Sequence, residues 1–412
     1  MSNSGRIQGK DICRACRSHE LFIAYDLGLL PIANELLNEK QSIYDEFPLI
    51  LSICRKCTLG QVQDVVSPQR LFQDYRYTSS TSRTFLEHAS AFVVNAVRDL
   101  SINQKDDWVL EIASNDGYLL KNFIPLGIKT IGVEPSENIG QLASDSGIPT
   151  ISTFFSSNLA NEILASHGFP KLIIANNVLA HVPDIRDFMK GLSILCGPDT
   201  YISIENPSLL NILTHNQFDS IYHEHFSYLT ANSVSRLAED FELRLFDLEE
   251  IDTHGGSNRY WLKRDSVPSQ RLNKMLSMEI GAGITEQTSW NDSFQNVKGT
   301  LENLTKWLEE GRKAGRKIVG YGAAAKASTL LNLVKASPED LRFIADNSVE
   351  KQGRFMPSGS IPIVDPKELA SYGPTDVLIF PWNISDEIQS TLVDLCPDAR
   401  YWKAIPEMLR IQ

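Results

Sequence analysis

The chain has 412 residues, with 39 Lys and Arg against 51 Asp and Glu, for a net charge of −12 at pH 7. That length suits two or three domains, and 42% hydrophobic with 22% charged residues is ordinary for a folded soluble protein. The acidic balance argues against a general nucleic-acid or anionic-membrane binder; the polar start MSNSGRIQGK lacks a signal peptide's apolar run, and no stretch approaches the roughly 20 apolar residues of a membrane span, so a cytoplasmic protein with reduced thiols is expected.

Four of the six cysteines form two C-x-x-C knuckles, Cys13 with Cys16 and Cys54 with Cys57. A two-residue gap turns both thiolates toward one ion, and two knuckles complete a tetrahedral Zn²⁺ site. The segment between the knuckles exceeds common finger spacing, so another small element must be inserted there. A redox dithiol would instead open a helix in a thioredoxin-like unit. Four thiolates leave no open coordination position, so the zinc is expected to hold the fold and do no chemistry; His19 is a possible substitute ligand. Cys196 and Cys396 are solitary in apolar contexts and read as core.

Asp74–Ser80 collects Tyr75, Arg76, Tyr77 and hydroxyls between domains, as an aromatic-anchored linker or a substrate contact. An amphipathic helix follows over 82–100. Trp108–Ile112 has strand length; Ala113–Gly117 is small and turn-forming; Tyr118 onward resumes helical spacing. Strand, tight loop and helix N-terminus place backbone N–H groups toward a ligand, with Asn115 or Asp116 able to cap and Gly117 able to take an unusual conformation. Residues 128–134 read as the next parallel strand. It ends on Glu134, at the distance where nucleotide-binding α/β folds hold a ribose. Further strands are expected at 150–155, 171–177 and 200–205. Ligands of such sheets bind beyond the C-terminal strand ends, which selects Asn115, Asp116, Glu134, Asn176, Asn177, Glu205 and Asn206. Phe154 and Phe155 could sandwich an adenine or pack in the core.

His181 follows the fourth strand. Ile221–Leu229 holds two histidines, a carboxylate and two tyrosines; His223, Glu224 and His225 could bind metal, or one histidine could act as a base. His254-Gly-Gly256 reads equally as a ligand approach or a hairpin turn. A long amphipathic helical segment is expected over about 270–314. Gly320, Gly322 and Ala325 then fit G-x-G-x-x-G/A, with Asp346 ending a following strand. Alone this is a dinucleotide fingerprint, and an NAD-dependent sugar oxidoreductase is the strongest rival reading. A sugar-nucleotide pyrophosphate suits the same loop, with Lys326 adding a charge. Arg354 is a phosphate contact or a solvated charge.

EIASNDGYLL with GVEPSENIG is similar to the S-adenosylmethionine site of class I methyltransferases. With the cysteine pairs, the YHEH stretch and GYGAAAK, nearly the whole chain resembles the three-domain sugar C-methyltransferase family, whose members make branched deoxysugars on nucleotide carriers. The resemblance implies a small zinc-binding domain (1–75), a Rossmann-like methyltransferase domain (76–300) and a second Rossmann-like, substrate-binding domain (301–412). It implies S-adenosylmethionine held by Glu111, Ser114, Asn115, Asp116, Gly117, Glu134 and Asn176. The family's Tyr-x-Glu-His pattern falls on Tyr222, Glu224 and His225, with His225 as general base and His181 facing substrate. Substrate contacts are expected from Tyr75 or Tyr77, Asn177, Asn206, His254, Gly322, Lys326 and Arg354. The family's glycine after the lysine is Ala327 here. The implied acceptor is C-3 of a 4-keto-deoxysugar carried on dTDP, in a monomer or small homo-oligomer; the alternatives are a C-methyltransferase with a non-sugar acceptor and a zinc-ribbon binding protein with degenerate α/β domains.

Overall fold

The computed structural model describes residues 6–7, 11–40, 44–63, 65–67, 70–71, 80, 83–357 and 360–411. The element inserted between the two knuckles is a long antiparallel hairpin, β1 (Leu21–Pro31) and β2 (Glu46–Cys54), extended by β3 (Gly60–Val62). Both knuckles close alike. Arg17 N–H donates to the Cys13 carbonyl and Thr58 N–H to the Cys54 carbonyl, and Arg17 and Thr58 both take positive φ. Each turn therefore curls its two sulfurs to one side.

Helix α1 (Arg83–Asp99) leads into the central sheet. Five parallel strands form it: β4 (Trp108–Ile112), β5 (Lys129–Val133), β6 (Thr150–Ile151), β7 (Leu172–Asn176) and β8 (Tyr201–Pro207). Helices α2 (Glu137–Asp145), α3 (Ser157–His167) and α4 (Ile185–Leu195) make the crossovers. After α5 (Leu209–Thr214) the chain returns to the N-terminal sheet as β9 (Ser227–Tyr228), which pairs with β3. It then forms α6 (Ala231–Glu239) and an antiparallel pair, β10 (Arg244–Ile251) and β11 (Ser257–Lys263). The sheet order is β10-β11-β8-β7-β4-β5-β6, with β11 antiparallel to β8. One reversed strand at the penultimate place, in an otherwise parallel doubly wound sheet, is the class I methyltransferase fold. Of the two readings of His254–Gly256, the structure takes the hairpin turn, which joins β10 to β11.

Two expectations change. The stretch after Gly117 is no regular helix but two short 3₁₀ turns, Leu120–Asn122 and Ile124–Leu126. Pro125 lacks an N–H for α-helical pairing and Gly127 ends the second turn at φ +69°, so the expected anion-binding helix N-terminus is absent there. The segment 270–314 is two helices, α7 (Gln270–Gly281) and α8 (Gln287–Lys313), parted at Gly283 with φ +67°. Helix α8 packs its buried Trp290 and half-buried Phe294 around Tyr25 of β1, whose hydroxyl meets Ser293 Oγ at 2.6 Å.

The C-terminal sheet has the order β14 (Ile363–Val364), β13 (Ile344–Ala345), β12 (Ile318–Tyr321), β15 (Asp376–Ile379), β16 (Arg400–Lys403) and β17 (Leu409–Arg410); only β17 is antiparallel. Helix α9 (Ala325–Leu333) leaves β12 and packs on residues 218–221, where Thr329 Oγ1 donates to the Ile221 carbonyl. Among the described residues no helix is long and apolar enough to cross a membrane.

Candidate active site

A cavity of about 510 Å³ opens at the C-terminal strand ends of the central sheet, where a parallel sheet of this kind binds ligands. All three units contribute to its wall: Asn34 from the hairpin, Asn115, Glu134, Asn176, Asn177, His181, Tyr222, Glu224 and His225 from the centre, and Lys326 from α9.

At one end lies the β4 loop. Ala113, Asn115 and Gly117 all have positive φ, and a Cβ on Gly117 would come within 2.2 Å of Ile148. The strained turn brings Asn115 N–H to Glu134 Oε2 at 3.0 Å, while Ser136 N–H donates to Oε1 at 3.0 Å. Burial raises the Glu134 pKa, and those two amides pull against it. Burial, with the charges of Glu134 and Asp116, pushes the Glu111 carboxyl well above its ordinary range. Glu111 Oε2, Asp116 Oδ1 and Asn176 Oδ1 have no hydrogen-bond partner among the described residues. Clustered carboxyl groups with unfilled acceptors suit a cationic ligand carrying ribose hydroxyls and an ammonium group. Asn115, Glu134 and Asn176 form the wall; Glu111, Ser114, Asp116 and Gly117 support it from outside the lining. Ser114 packs under Gly132 of β5. Phe155 packs edge-on against Phe188 with centroids 5.2 Å apart, and Phe154 stands 45% exposed at the mouth.

At the other end, Tyr222 and His225 are joined by a 2.8 Å hydrogen bond between the hydroxyl and Nε2. His181 meets the His225 ring edge-on with centroids 4.5 Å apart, and its Nδ1 bonds the Glu224 carbonyl at 2.7 Å. Glu224 is buried. Its Oε1 accepts from both Asn34 N–H and Asn34 Nδ2, its Oε2 has no hydrogen-bond partner among the described residues, and burial raises its pKa. Nothing in the sequence around Asn34 marks it for this task. His223 turns away and bonds the Phe47 carbonyl at 3.2 Å. The alternative of a metal held by His223 and His225 therefore lacks a converging ligand set.

Burial lowers the His181 pKa from 6.5 to about 4, against the raising effect of the Glu224 carbonyl. A depressed imidazole makes the unfolded chain bind more protons as pH falls below 6.5. Its stabilising contribution is thus fully present above pH 6.5 and is lost as pH falls toward 4, by roughly 3 kcal/mol. In urea titrations across that window, His181→Asn should show a flatter fall in stability; an unchanged slope would contradict a neutral His181.

Other expected contacts lie elsewhere. Glu205 binds His88, Arg259 and Thr253; burial alone would raise its pKa, but these partners hold it down at about 2, so it is tied up in structure. Asn206 is 1% exposed, and neither side-chain polar atom has a partner among the described residues, but it is not on the cavity wall. Asn177 takes φ +53° and faces the cavity. Gly322 (φ +87°) lies against Pro381, and Arg354 sits at the C-terminal sheet edge; neither reaches the wall. Tyr75, Tyr77 and the His254 side chain lie outside the described residues. At the end of β13, Asp346 accepts from Ala323 N–H of the loop after β12 at 2.7 Å and pairs with Lys351 at 3.5 Å.

The four cysteine sulfurs lie within 4.8 Å of one another, with Cys13–Cys57 at 3.4 Å and Cys16–Cys54 at 3.6 Å. Tetrahedral zinc thiolates stand about 3.8 Å apart, so the cluster fits that ion.

Three family models match in chain order: a zinc binding domain over residues 13–72, a methyltransferase domain over 85–248, and a C-methyltransferase C-terminal domain over 252–402. C-methyltransferase NovU of Streptomyces niveus is 33% identical over 386 residues, which is 92% of this chain and 91% of the relative. The chain belongs to the C-methyltransferase family that includes NovU. It is an S-adenosylmethionine-dependent C-methyltransferase with structural zinc in its N-terminal domain. Solved structures resemble it only in part. An S-adenosylmethionine-dependent methyltransferase from Clostridium acetobutylicum matches 45% of this chain and 92% of its own at 13% identity, with a TM-score of 0.35. Magnesium protoporphyrin IX methyltransferase of Synechocystis matches 48% and 89% at 15% identity, with a TM-score of 0.34.

Proposed function

We propose that this C-methyltransferase acts on C-3 of a nucleotide-linked 4-keto-deoxysugar, with thymidine diphosphate as the carrier, through an enolate generated by His225. The observation that carries the reading is the Tyr222–His225 pair at one end of the same cavity that holds Glu134 at the other. A saturated sugar carbon needs carbanion character to accept a methyl group, and a neighbouring ketone acidifies its C–H bond. Histidine is suited to remove that proton near neutral pH. The proton passes to the His225–Tyr222 pair; His181 and the Asn34-held Glu224 fix the imidazole's surroundings. Glu111, Ser114, Asn115, Asp116, Gly117, Glu134 and Asn176 are assigned to S-adenosylmethionine, whose bound sulfonium supplies the methyl group. Tyr75 or Tyr77, Asn177, His254 and Lys326 are assigned to the sugar nucleotide; Asn206, Gly322 and Arg354, which lie off the cavity wall, are not. NovU itself is a C-methyltransferase, which supports the reaction type without fixing the carbon attacked. A cytoplasmic monomer or small homo-oligomer, divided at about residues 75 and 300, completes the proposal.

Calorimetry tests the cofactor assignment. S-adenosylmethionine should bind the wild-type protein and NAD should not. Glu134→Ala should weaken sulfonium binding about 10- to 100-fold, the worth of a charged hydrogen bond to a ribose. Binding of NAD, or unaltered affinity in the variant, would contradict the assignment.

A further inference from the structure

We infer that Lys326 is the electrophile of the reaction: its ammonium group holds the ketone oxygen of the acceptor as that oxygen takes up charge. This inference rests on the enolate reading above and assigns it a residue from a different domain. Among the described residues that line the cavity, Lys326 is the one lysine or arginine. It lines the same cavity as Ser220, Tyr222, Glu224 and His225. A diphosphate would call for several cations or a wet, basic groove; a single enolate oxygen calls for one.

The lysine stands over an aromatic ring that is itself anchored. Its Nζ lies 4.3 Å from the centroid of the Trp382 ring, and the indole Nε1 donates to Asp219 Oδ2 at 2.8 Å. Asp219 is 1% exposed, and its Oδ1 has no hydrogen-bond partner among the described residues. Burial lowers the Lys326 pKa, and the Asp219 charge pulls against it. Thr329, one turn along α9, donates to the carbonyl of Ile221, the residue before Tyr222. The helix that carries the cation is therefore bonded to the segment that carries the base. A desolvated charge placed in advance at the site of developing charge is the arrangement that stabilises an enolate most strongly.

The step balances. The C–H proton goes to the His225–Tyr222 pair. Its electrons form the carbon–carbon double bond as the carbonyl π pair moves onto oxygen, beside the Lys326 ammonium. That carbon then takes the methyl group, the carbon–sulfur bond breaks with its electrons on sulfur, the carbonyl reforms, and the imidazolium proton leaves to solvent. Asp219 and Trp382 act only as positioning residues.

The test separates enolisation from methyl transfer. Full-length protein is incubated in D₂O with S-adenosylhomocysteine and a thymidine diphosphate 4-keto-6-deoxyhexose, and loss of the proton adjacent to the ketone is followed by NMR. Lys326→Met should slow this exchange and lower kcat for methylation about 10²- to 10³-fold, with KM and S-adenosylmethionine affinity within about threefold of wild type. Lys326→Arg, which keeps the charge, should recover part of both rates; the thermal midpoint of each variant reports folding. Exchange at the wild-type rate in Lys326→Met, with only KM raised, would make Lys326 a phosphate contact and overturn the inference while leaving His225 in its role. If wild-type protein that binds S-adenosylmethionine shows no exchange, the enolate reading fails and this inference with it.

Discussion

Replacing His225 by asparagine should lower kcat for methylation about 10²- to 10⁴-fold, the usual contribution of a positioned general base, and leave S-adenosylmethionine affinity close to that of wild type. The two effects separate because the cavity separates them. Glu134 is held by the Asn115 and Ser136 amides at the β4–β5 end, whereas His225 is held by Tyr222 and His181 at the other. The imidazole is 8% exposed, so the variant's thermal midpoint must accompany the kinetics. Tyr222→Phe serves as a companion: it keeps the ring that stacks near His225 but removes the 2.8 Å hydroxyl bond, and it should cost less than the loss of the base. A His225→Asn protein with kcat within a few-fold of wild type would remove His225 from the chemistry.

Removing the zinc should unfold the N-terminal sheet and abolish methylation with it, although the cysteines lie outside the cavity wall. The link is the backbone just after the base. The Phe226 carbonyl accepts from Val62 N–H at 3.1 Å and from Arg14 Nη1 at 2.6 Å, and Arg14 sits inside the first knuckle between Cys13 and Cys16. Strand β9, two residues past His225, pairs with β3, three residues past Cys57. Asn34, which fixes Glu224, lies beyond the end of β1. Structural zinc sites of this type contribute about 10 kcal/mol or more to folding, as much as the whole stability of a typical domain. Zinc analysis should give one ion per chain. Cys54→Ser should lose the ion, and its activity should fall in parallel with the metal content. Zinc-free protein with full activity would show that the β3–β9 pairing holds the base loop unaided.

The residues that carry dense local chemistry were legible in the sequence. Two C-x-x-C knuckles, a strand ending on Glu134 nineteen residues after Asn115, and Tyr222-His-Glu-His225 each signal through spacing and side-chain type alone. The strand β10 was not legible. Its sequence RLFDLEEI carries Asp247, Glu249 and Glu250, which spoil an apolar alternation; Asp247 and Glu249 are matched by Arg271 of α7 and by Arg259 of β11, partners distant in the chain. The broken helix after Gly117 turned on Pro125 within an otherwise helical pattern. Asn34 and Asp219 had no local signal, because each acts only through a neighbour that the fold delivers from a distant part of the chain, Glu224 for the first and Lys326 for the second; Trp382 follows a strand as a cleft-edge residue would. Lys326 was visible as a charge in a glycine-rich loop, but that loop pointed to a dinucleotide. The placement of Lys326 on the cavity wall redirects that motif toward the central site.

The most direct test is to supply S-adenosylmethionine labelled with ¹³C in its methyl group, together with a thymidine diphosphate 4-keto-6-deoxyhexose, and to read the product by carbon NMR. The account predicts an upfield carbon-bound methyl signal, coupled to ring carbon C-3 and formed with one equivalent of S-adenosylhomocysteine. A methyl signal at the shift of a methoxy group, or no transfer from a protein shown to bind the cofactor, would contradict it.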